Sequence, residues 1–259
     1  MARTISPGRR AALAWLAACV PMLATASPLP SGARAFRIVI DPGHTPAQGG
    51  ALGVRGVYEV RYNDRLALQV AQALMQVGFD VTLTRGPDDN LSLEERARIA
   101  NARQADLFLS IHHDSAQMQY LEKLRVEDRD AYRTTRPIAG YSVFVSQRNP
   151  SFARSYAFAQ MLGEEMRKLG RAPTLHHAEP IAGESRELLA PDIGIYRFDD
   201  LAVLRHTVMP AVLLEAGVIV DPGDEGYVND PGNQASMVNA VVRAVRRYVN
   251  TVRSGNGQR

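Results

Sequence analysis

Two histidines and two glutamates stand where their side chains could act together on a substrate. His44 directly follows an apolar run that predicts a strand, and His112 and Glu215 end two further runs of this kind. Glu59 lies at the end of a glycine-rich stretch shortly after His44. Because ligands of an open parallel sheet bind at the carboxyl ends of its strands, we expect these four side chains to converge on one cleft.

This set of side chains is typical of zinc-dependent hydrolysis. Two histidines, a carboxylate and a water molecule bind the metal in many catalytic zinc sites. A further carboxylate can take the proton of the water and deliver it to a leaving amine. Glu215 follows an apolar strand, where burial raises a carboxyl pKa toward the range of a general base. Each residue alone is more often a packing or solvated side chain, and it is their joint placement that favours a zinc hydrolase.

The elements that must position these residues alternate along the chain. Strands are predicted over residues 37–40, 80–84, 107–111, 141–145 and 211–214. Helices are predicted from about residue 63 to Gly78, after a capping box of Ser92 and Glu95, over residues 151–169 and around residues 237–249. The alternation predicts an α/β fold: one domain with a mostly parallel, twisted sheet flanked by helices, and the zinc site at the carboxyl ends of the strands.

Two long segments fit this alternation poorly. Residues 115–139 carry mixed charges, and residues 171–199 contain His176, His177 and three glutamates. Segments this long without an evident periodic pattern are often functional. We predict that both are insertions that lie over the sheet and are not part of it.

The first 26 residues predict a secretory signal peptide. Three arginines precede an apolar run, and Ala24-Thr25-Ala26 forms a small-residue cleavage site. We therefore expect export to the periplasm, by either the general or the twin-arginine route, with lipid attachment at Cys19 as the less favoured alternative. Residues 27–35 are then a linker, residues 36–252 the catalytic domain and residues 253–259 a flexible tail.

Composition excludes several classes of protein. The chain has 30 basic and 27 acidic residues. Removal of the signal peptide takes away three arginines and leaves the two numbers equal, so we expect no binding to nucleic acid, which would require a basic excess. The single cysteine excludes a disulfide framework. No long apolar surface stripe is evident, and we expect a monomer.

Four blocks of the sequence resemble one known family. Residues 38–44 (Ile-Val-Ile-Asp-Pro-Gly-His) resemble the opening motif of the zinc-dependent N-acetylmuramoyl-L-alanine amidases of the amidase-3 family. Glu59 with Asn63, residues 109–112 (Leu-Ser-Ile-His) and residues 201–217 follow in that family's order. The similarity spans about residues 36–250. It implies that His44, Glu59 and His112 bind one zinc ion, and that Glu215 is the catalytic acid and base.

The resemblance also implies a substrate. Members of the family hydrolyse the amide between N-acetylmuramic acid and the L-alanine of the peptidoglycan stem peptide. This sequence departs from the family at His113, where alanine is frequent, and at Val218, where an aromatic residue is common. Since side chains alternate along a strand, we predict that His113 points away from the metal.

Some periplasmic members of the family carry a helix that blocks the site until an activator protein displaces it. Residues 172–196 are a candidate for such an autoinhibitory segment, with Glu179, Glu184 or Glu187 facing the zinc. The alternative is an ordinary wall of the substrate groove. Two other functions stay open: a zinc hydrolase of another amide substrate, and a non-catalytic cell-wall-binding or regulatory module. His206 is predicted to be a packing or surface residue.

Overall fold

The structure, a computed structural model, describes residues 34–256. The predicted signal peptide, Cys19 and most of the predicted linker lie outside these residues. The strands are β1 (Arg37–Pro42), β2 (Asp80–Leu83), β3 (Leu107–Asp114), β4 (Leu121–Val126), β5 (Arg129–Thr134), β6 (Ser142–Val145), β7 (Glu187–Ala190), β8 (Ile195–Arg197) and β9 (Ala211–Val218). The helices are α1 (Glu59–Gln76), α2 (Leu93–Ala102), α3 (Phe152–Arg167), α4 (Ala202–His206), α5 (Pro222–Asn229) and α6 (Pro231–Asn256).

Seven of the strands form one sheet, in the order β2-β1-β3-β9-β6-β8-β7. The first four are mutually parallel. β6 runs antiparallel to β9, β8 runs with β6, and β7 turns back again. The prediction of an α/β fold with a mostly parallel sheet flanked by helices is confirmed. Because β1, β3 and β9 are adjacent and parallel, their carboxyl ends lie side by side.

Both faces of the sheet are covered by helices. Ile38 and Ile40 of β1 belong to a buried cluster with residues of α1, α3 and α6. Val39, on the opposite face, belongs to a second cluster with residues of α2 and α4. A strand covered on both faces carries apolar side chains at most positions. This explains why the strands around the site appear in the sequence as continuous apolar runs.

Most predicted elements are present, with shifted ends. The Ser92 hydroxyl accepts a hydrogen bond of 3.1 Å from the backbone N–H of Glu95, as the capping box predicts. The helix predicted to begin near Asn63 starts at Glu59, one turn earlier. The last helix continues to Asn256 and therefore includes the first residues of the predicted tail.

The prediction that residues 171–199 lie over the sheet is wrong, because this segment supplies β7 and β8 at the edge of the sheet. These strands are short and are separated by Pro191 and Gly194, so no alternating pattern marks them in the sequence. Residues 115–139 do lie outside the main sheet, where β4 and β5 form a separate antiparallel hairpin. Within residues 34–256, the structure has no helix that is long and apolar enough to cross a lipid bilayer.

Candidate metal centre and active site

The turn that follows β1 presents His44 in an unusual backbone conformation. Its φ of 61° lies in the left-handed region, which a residue with a Cβ adopts only when its surroundings enforce it. Two buried guanidinium groups provide this constraint. Arg85 donates to the carbonyl oxygen of His44 at 2.8 Å, and Arg96 donates to the same oxygen. These two guanidinium groups thus hold the backbone of the turn in this conformation.

Glu59, the first residue of α1, lies at the centre of the site. Its Oε1 accepts a hydrogen bond of 2.9 Å from the Asn63 side chain, and its Oε2 accepts one of 3.1 Å from the backbone N–H of Ala51. Burial raises the pKa of this carboxyl, but hydrogen bonds from His112 and His44 outweigh it and hold the pKa well below its usual value. Glu59 is therefore a carboxylate at any physiological pH.

His44 and His112 reach this carboxylate from two neighbouring strand ends. His44 Nε2 lies 2.9 Å from Glu59 Oε2, and His112 Nδ1 lies 2.9 Å from Glu59 Oε1. One ligand atom from each of the three residues can be chosen so that all lie within 4.8 Å of one another. We call His44, Glu59 and His112 the metal group. Two imidazoles and one carboxylate match the protein ligands of many catalytic zinc ions.

Two glycines leave the space that this arrangement needs. A Cβ placed on Gly43 would overlap the imidazole of His112. A Cβ on Gly50 would overlap both the Glu59 carboxylate and the His44 ring, and the φ of 76° at Gly50 also favours glycine. Because Gly43 and Gly50 have no side chain, the backbone can lie close to the metal group. The donor set and the space around it fit a bound zinc ion.

His113 lies outside the metal group and supports it through a contact with Asn63. Its Nδ1 is 2.8 Å from the Asn63 side-chain oxygen, and its ring packs against Tyr62 at 5.6 Å between centroids. Burial lowers its pKa to about 3, so the imidazole is neutral. Since the Asn63 amide group donates to Glu59, its oxygen accepts the Nδ1–H of His113. The pair fixes the orientation of Glu59.

Glu215 lies beside the metal group on β9. It pairs in register with His112 across two parallel strands, and side chains at paired positions share a face of the sheet. Its Oε2 is buried and has no hydrogen-bond partner in the part of the chain that the structure describes. Burial, together with the negative charges of Asp114 and Glu59, raises the pKa of this carboxyl well above its usual value. Glu215 is suited to accept and release a proton.

The glutamates of the second long segment are bound elsewhere. Glu179 pairs with Arg136 at 2.5 Å, Glu187 pairs with Arg197 at 2.8 Å, and Glu184 lies 3.1 Å from His177. None of the three belongs to the metal group as the structure describes it. Residues 172–196 include no α-helix, only two short strands and two single turns of 3-10 helix.

Several supporting residues were missed by reasoning from the sequence. Arg85 lies two residues after the end of β2, as His44 does after β1, so the strand-end rule could have singled it out. Arg96 carried no such signal, because an arginine in an amphipathic helix is usually solvated. It is nevertheless 1% exposed here and pairs with Asp41 at 2.9 Å.

Comparison with known proteins agrees with this geometry. A family model described as N-acetylmuramoyl-L-alanine amidase matches residues 38–247. An N-acetylmuramoyl-L-alanine amidase of Mycobacterium tuberculosis is 23% identical, over 91% of this chain and 95% of its own length. AmiA of Escherichia coli, also an N-acetylmuramoyl-L-alanine amidase, is 24% identical over 82% of this chain and 75% of its own.

Solved structures show the same fold. The catalytic domain of CwlV, an N-acetylmuramoyl-L-alanine amidase from Bacillus (Paenibacillus) polymyxa var. colistinus, is similar with a TM-score of 0.63 and 26% identity. That likeness covers 83% of this chain and 98% of the CwlV domain. The family model spans most of the chain and contains all four residues of the candidate site. The chain belongs to the N-acetylmuramoyl-L-alanine amidase family known as amidase-3.

Proposed function

We propose that this protein hydrolyses the amide bond between N-acetylmuramic acid and the L-alanine of the peptidoglycan stem peptide, with one zinc ion held by His44, Glu59 and His112. One observation carries the proposal. The metal group lies beside Glu215, whose buried Oε2 has no partner among the described residues and whose pKa is raised. Family membership supplies the identity of the bond.

The residues of the chain divide the chemical work. A zinc ion bound by such a group acts as a Lewis acid that polarises a carbonyl and acidifies water. Glu215 accepts the proton of the attacking water and delivers it to the nitrogen of the departing alanine. One water molecule is added across the amide, which leaves a lactyl carboxylate on the sugar and a free amino group on the alanine.

A groove beside the site supports a polymeric, acidic substrate. It has a volume of about 420 Å³, and its lining residues are Pro46, Ala47, Gly49, Gly56, Val57, Tyr58, Val60, Arg61 and, on the hairpin strand β5, Arg129. Arg61 and Arg129 place two guanidinium groups along it. Stem peptides carry carboxylates, which guanidinium groups bind with paired hydrogen bonds. This supports peptidoglycan over a small neutral amide.

Export and regulation belong to the same proposal. We propose that residues 1–26 direct the chain to the periplasm, where peptidoglycan lies. The segment considered as autoinhibitory also contributes β7 and β8, so deleting residues 172–196 would damage the sheet. His177, Glu184 and Arg186 line a cavity of about 110 Å³ together with Glu215. We therefore propose that a partner protein would act by moving residues 176–186.

The test is digestion of purified peptidoglycan by the full-length protein, with products identified by mass spectrometry. The expected products are stem peptides with a free L-alanine amino terminus. They should disappear after treatment with a chelator and return when zinc is added. Cleavage of a peptide crosslink would establish the alternative of another amide substrate. Release of nothing, from a folded protein loaded with zinc, would fit two explanations: a site closed by residues 176–186 until a partner protein moves them, or the non-catalytic binding module.

Replacing the proposed acid and base gives the sharpest variant. Glu215→Gln removes the proton carrier and keeps the size of the side chain, so we expect the rate of amide cleavage to fall by about 10²–10⁴-fold. Zinc content should stay at the wild-type value because Glu215 is not in the metal group. Glu187→Gln on the exposed edge strand is the matched control and should cleave normally. A Glu215→Gln protein with near wild-type rate would refute the assignment.

A further inference from the structure

A second cluster of ligand-type side chains lies at the end of β3 and involves none of the metal group. It joins Asp114 to His176 and His177, which belong to the single 3-10 turn His176–Ala178. Asp114 Oδ2 lies 2.7 Å from His177 Nε2 and 3.5 Å from His176 Nε2. Asp114 and His176 are buried, and His177 is largely so. We call these three residues the Asp114 cluster.

Each histidine of the cluster is oriented by a partner on its outer nitrogen. His176 Nδ1 is 2.7 Å from the Thr174 hydroxyl, and His177 Nδ1 is 3.1 Å from Glu184 Oε2. Both Nε2 atoms are thereby directed inward to the same carboxylate oxygen. Histidines that bind metals show this arrangement, in which the second ring nitrogen donates to a carboxylate or another oxygen.

One atom of the cluster is left unsatisfied. His176 Nε2 is buried and has no hydrogen-bond partner within residues 34–256. In the tautomer that donates Nδ1–H to Thr174, the lone pair of Nε2 would face Asp114 Oδ2, 3.5 Å away. A cation between the two atoms would satisfy both.

We propose that Asp114, His176 and His177 form a second binding site for a divalent cation, distinct from the metal group. Two imidazole nitrogens and one carboxylate oxygen favour zinc or a similar transition metal over magnesium or calcium. Because Asp114 is on β3 and the histidines are on the segment after α3, the cation ties this segment to the sheet. His177 and Glu184 line the cavity that contains Glu215, so the cation would stabilise one wall of the active site.

The alternative is an ion pair without a metal. Here His177 carries a proton shared between Asp114 and Glu184, whose charges outweigh the effect of burial and raise its pKa to about 10. This arrangement accounts for His177 but leaves His176 Nε2 without a partner. Counting bound metal distinguishes the two interpretations and does not depend on activity.

The experiment measures zinc per chain in the full-length protein, prepared without a polyhistidine tag. Protein stripped by a chelator is dialysed against buffered zinc, and bound metal is measured by mass spectrometry. We expect two zinc ions in the wild type and one in Asp114→Asn or His177→Gln. His206→Gln, which changes an exposed histidine outside both groups, is the control and should retain two. A wild type with one zinc ion, unchanged by His177→Gln, would overturn the second site.

A second variant separates this proposal from the proposed function. His44→Gln combined with His112→Gln removes two ligands of the metal group and leaves the Asp114 cluster intact. This variant should bind one zinc ion, and zinc should raise its Tm because a ligand of the native state stabilises it. If it binds no zinc and its Tm does not move, the second site does not exist, whatever the wild type does to peptidoglycan.

Discussion

At the scale of single residues, the metal group is supported by side chains that lie outside it. Asn63 donates to Glu59 Oε1 at 2.9 Å and to the carbonyl oxygen of Gly43 at 3.3 Å. It also accepts a hydrogen bond from His113. One buried amide thus connects α1, the turn after β1 and the end of β3. These three elements carry the residues of the metal group.

Replacing Asn63 with alanine should therefore weaken metal binding. Loss of a residue that orients a metal ligand reduces affinity by about 10–100-fold. We expect this change in the zinc dissociation constant, measured by competition with a chromophoric chelator. Asn239→Ala, at an exposed position of α6, is the control and should bind as the wild type does. An Asn63→Ala protein with unchanged affinity would show that Glu59 does not need this support.

The four residues of the candidate site could be predicted because they follow apolar strands or stand in a recognisable motif. The role of Asn63 could not be predicted, because it is defined by contacts with Gly43 and His113, which lie in distant parts of the chain. The role of Arg96 could not be predicted for another reason. Its helix has the pattern of a surface helix, and only the tertiary structure shows that its guanidinium group is buried.

At the scale of elements, the turn after β1 is held by a charged network inside the protein. Asp41 pairs with Arg96 and also accepts hydrogen bonds from Thr84 at 2.6 Å and from Ser110 at 2.8 Å. Arg85 pairs with Asp64 at 2.6 Å and donates to backbone carbonyls of the same turn. Helices α1 and α2 therefore contribute to the position of His44 through these side chains.

Breaking this network should destabilise the protein strongly. Arg96→Met keeps the length of the side chain but leaves the buried Asp41 carboxylate without its cation. Removing one partner of a buried pair costs about 3–5 kcal/mol, and we expect a loss of this size in urea unfolding. Arg98→Ala, on the same helix, breaks only an exposed pair with Glu95 and should cost less than about 1 kcal/mol. Equal losses in both variants would contradict the proposed network.

Elements were predictable where they were long or fully buried. The continuous apolar runs of β1, β3 and β9 were predicted because both of their faces are covered. β8 has three residues and lies close to a proline and a glycine, so its pairing with β6 is determined by packing and leaves no local pattern. The antiparallel direction of β6 could not be predicted either, because the sequence of one strand does not indicate its direction in the sheet.

At the scale of the whole molecule, α3 and α6 are joined by ion pairs centred on the carboxylate of Glu165. Glu165 is 2% exposed and contacts Arg243 at 2.7 Å and Arg247 at 2.9 Å, both on α6. Burial raises the pKa of Glu165, but hydrogen bonds from Arg243, Lys168 and Arg247 outweigh it and lower the pKa from 4.5 to about 2. Because the folded state lowers this pKa, the ionised carboxylate stabilises the fold.

This contribution should depend on pH in a defined direction. It is complete above the unfolded pKa of 4.5 and is lost as pH falls toward 2. Glu165→Gln should therefore lower the free energy of unfolding by about 1–3 kcal/mol at pH 7, and the difference from wild type should shrink below pH 5. Urea unfolding at successive pH values measures both effects. Glu164→Gln, whose exposed carboxylate pairs with Arg247, should show little change.

The pairing of β3 with β9 affects the order in which the parts of the site come together during folding. Phe108 pairs with Ala211, so two adjacent strands at the centre of the sheet are far apart in the sequence. Contacts of high sequence separation form slowly, because the loop between them must be ordered first. A chain synthesised past Asp114 contains all three residues of the metal group but still lacks Glu215. The proposed acid and base thus reaches the metal group only when β9, near the end of the polypeptide, joins the sheet.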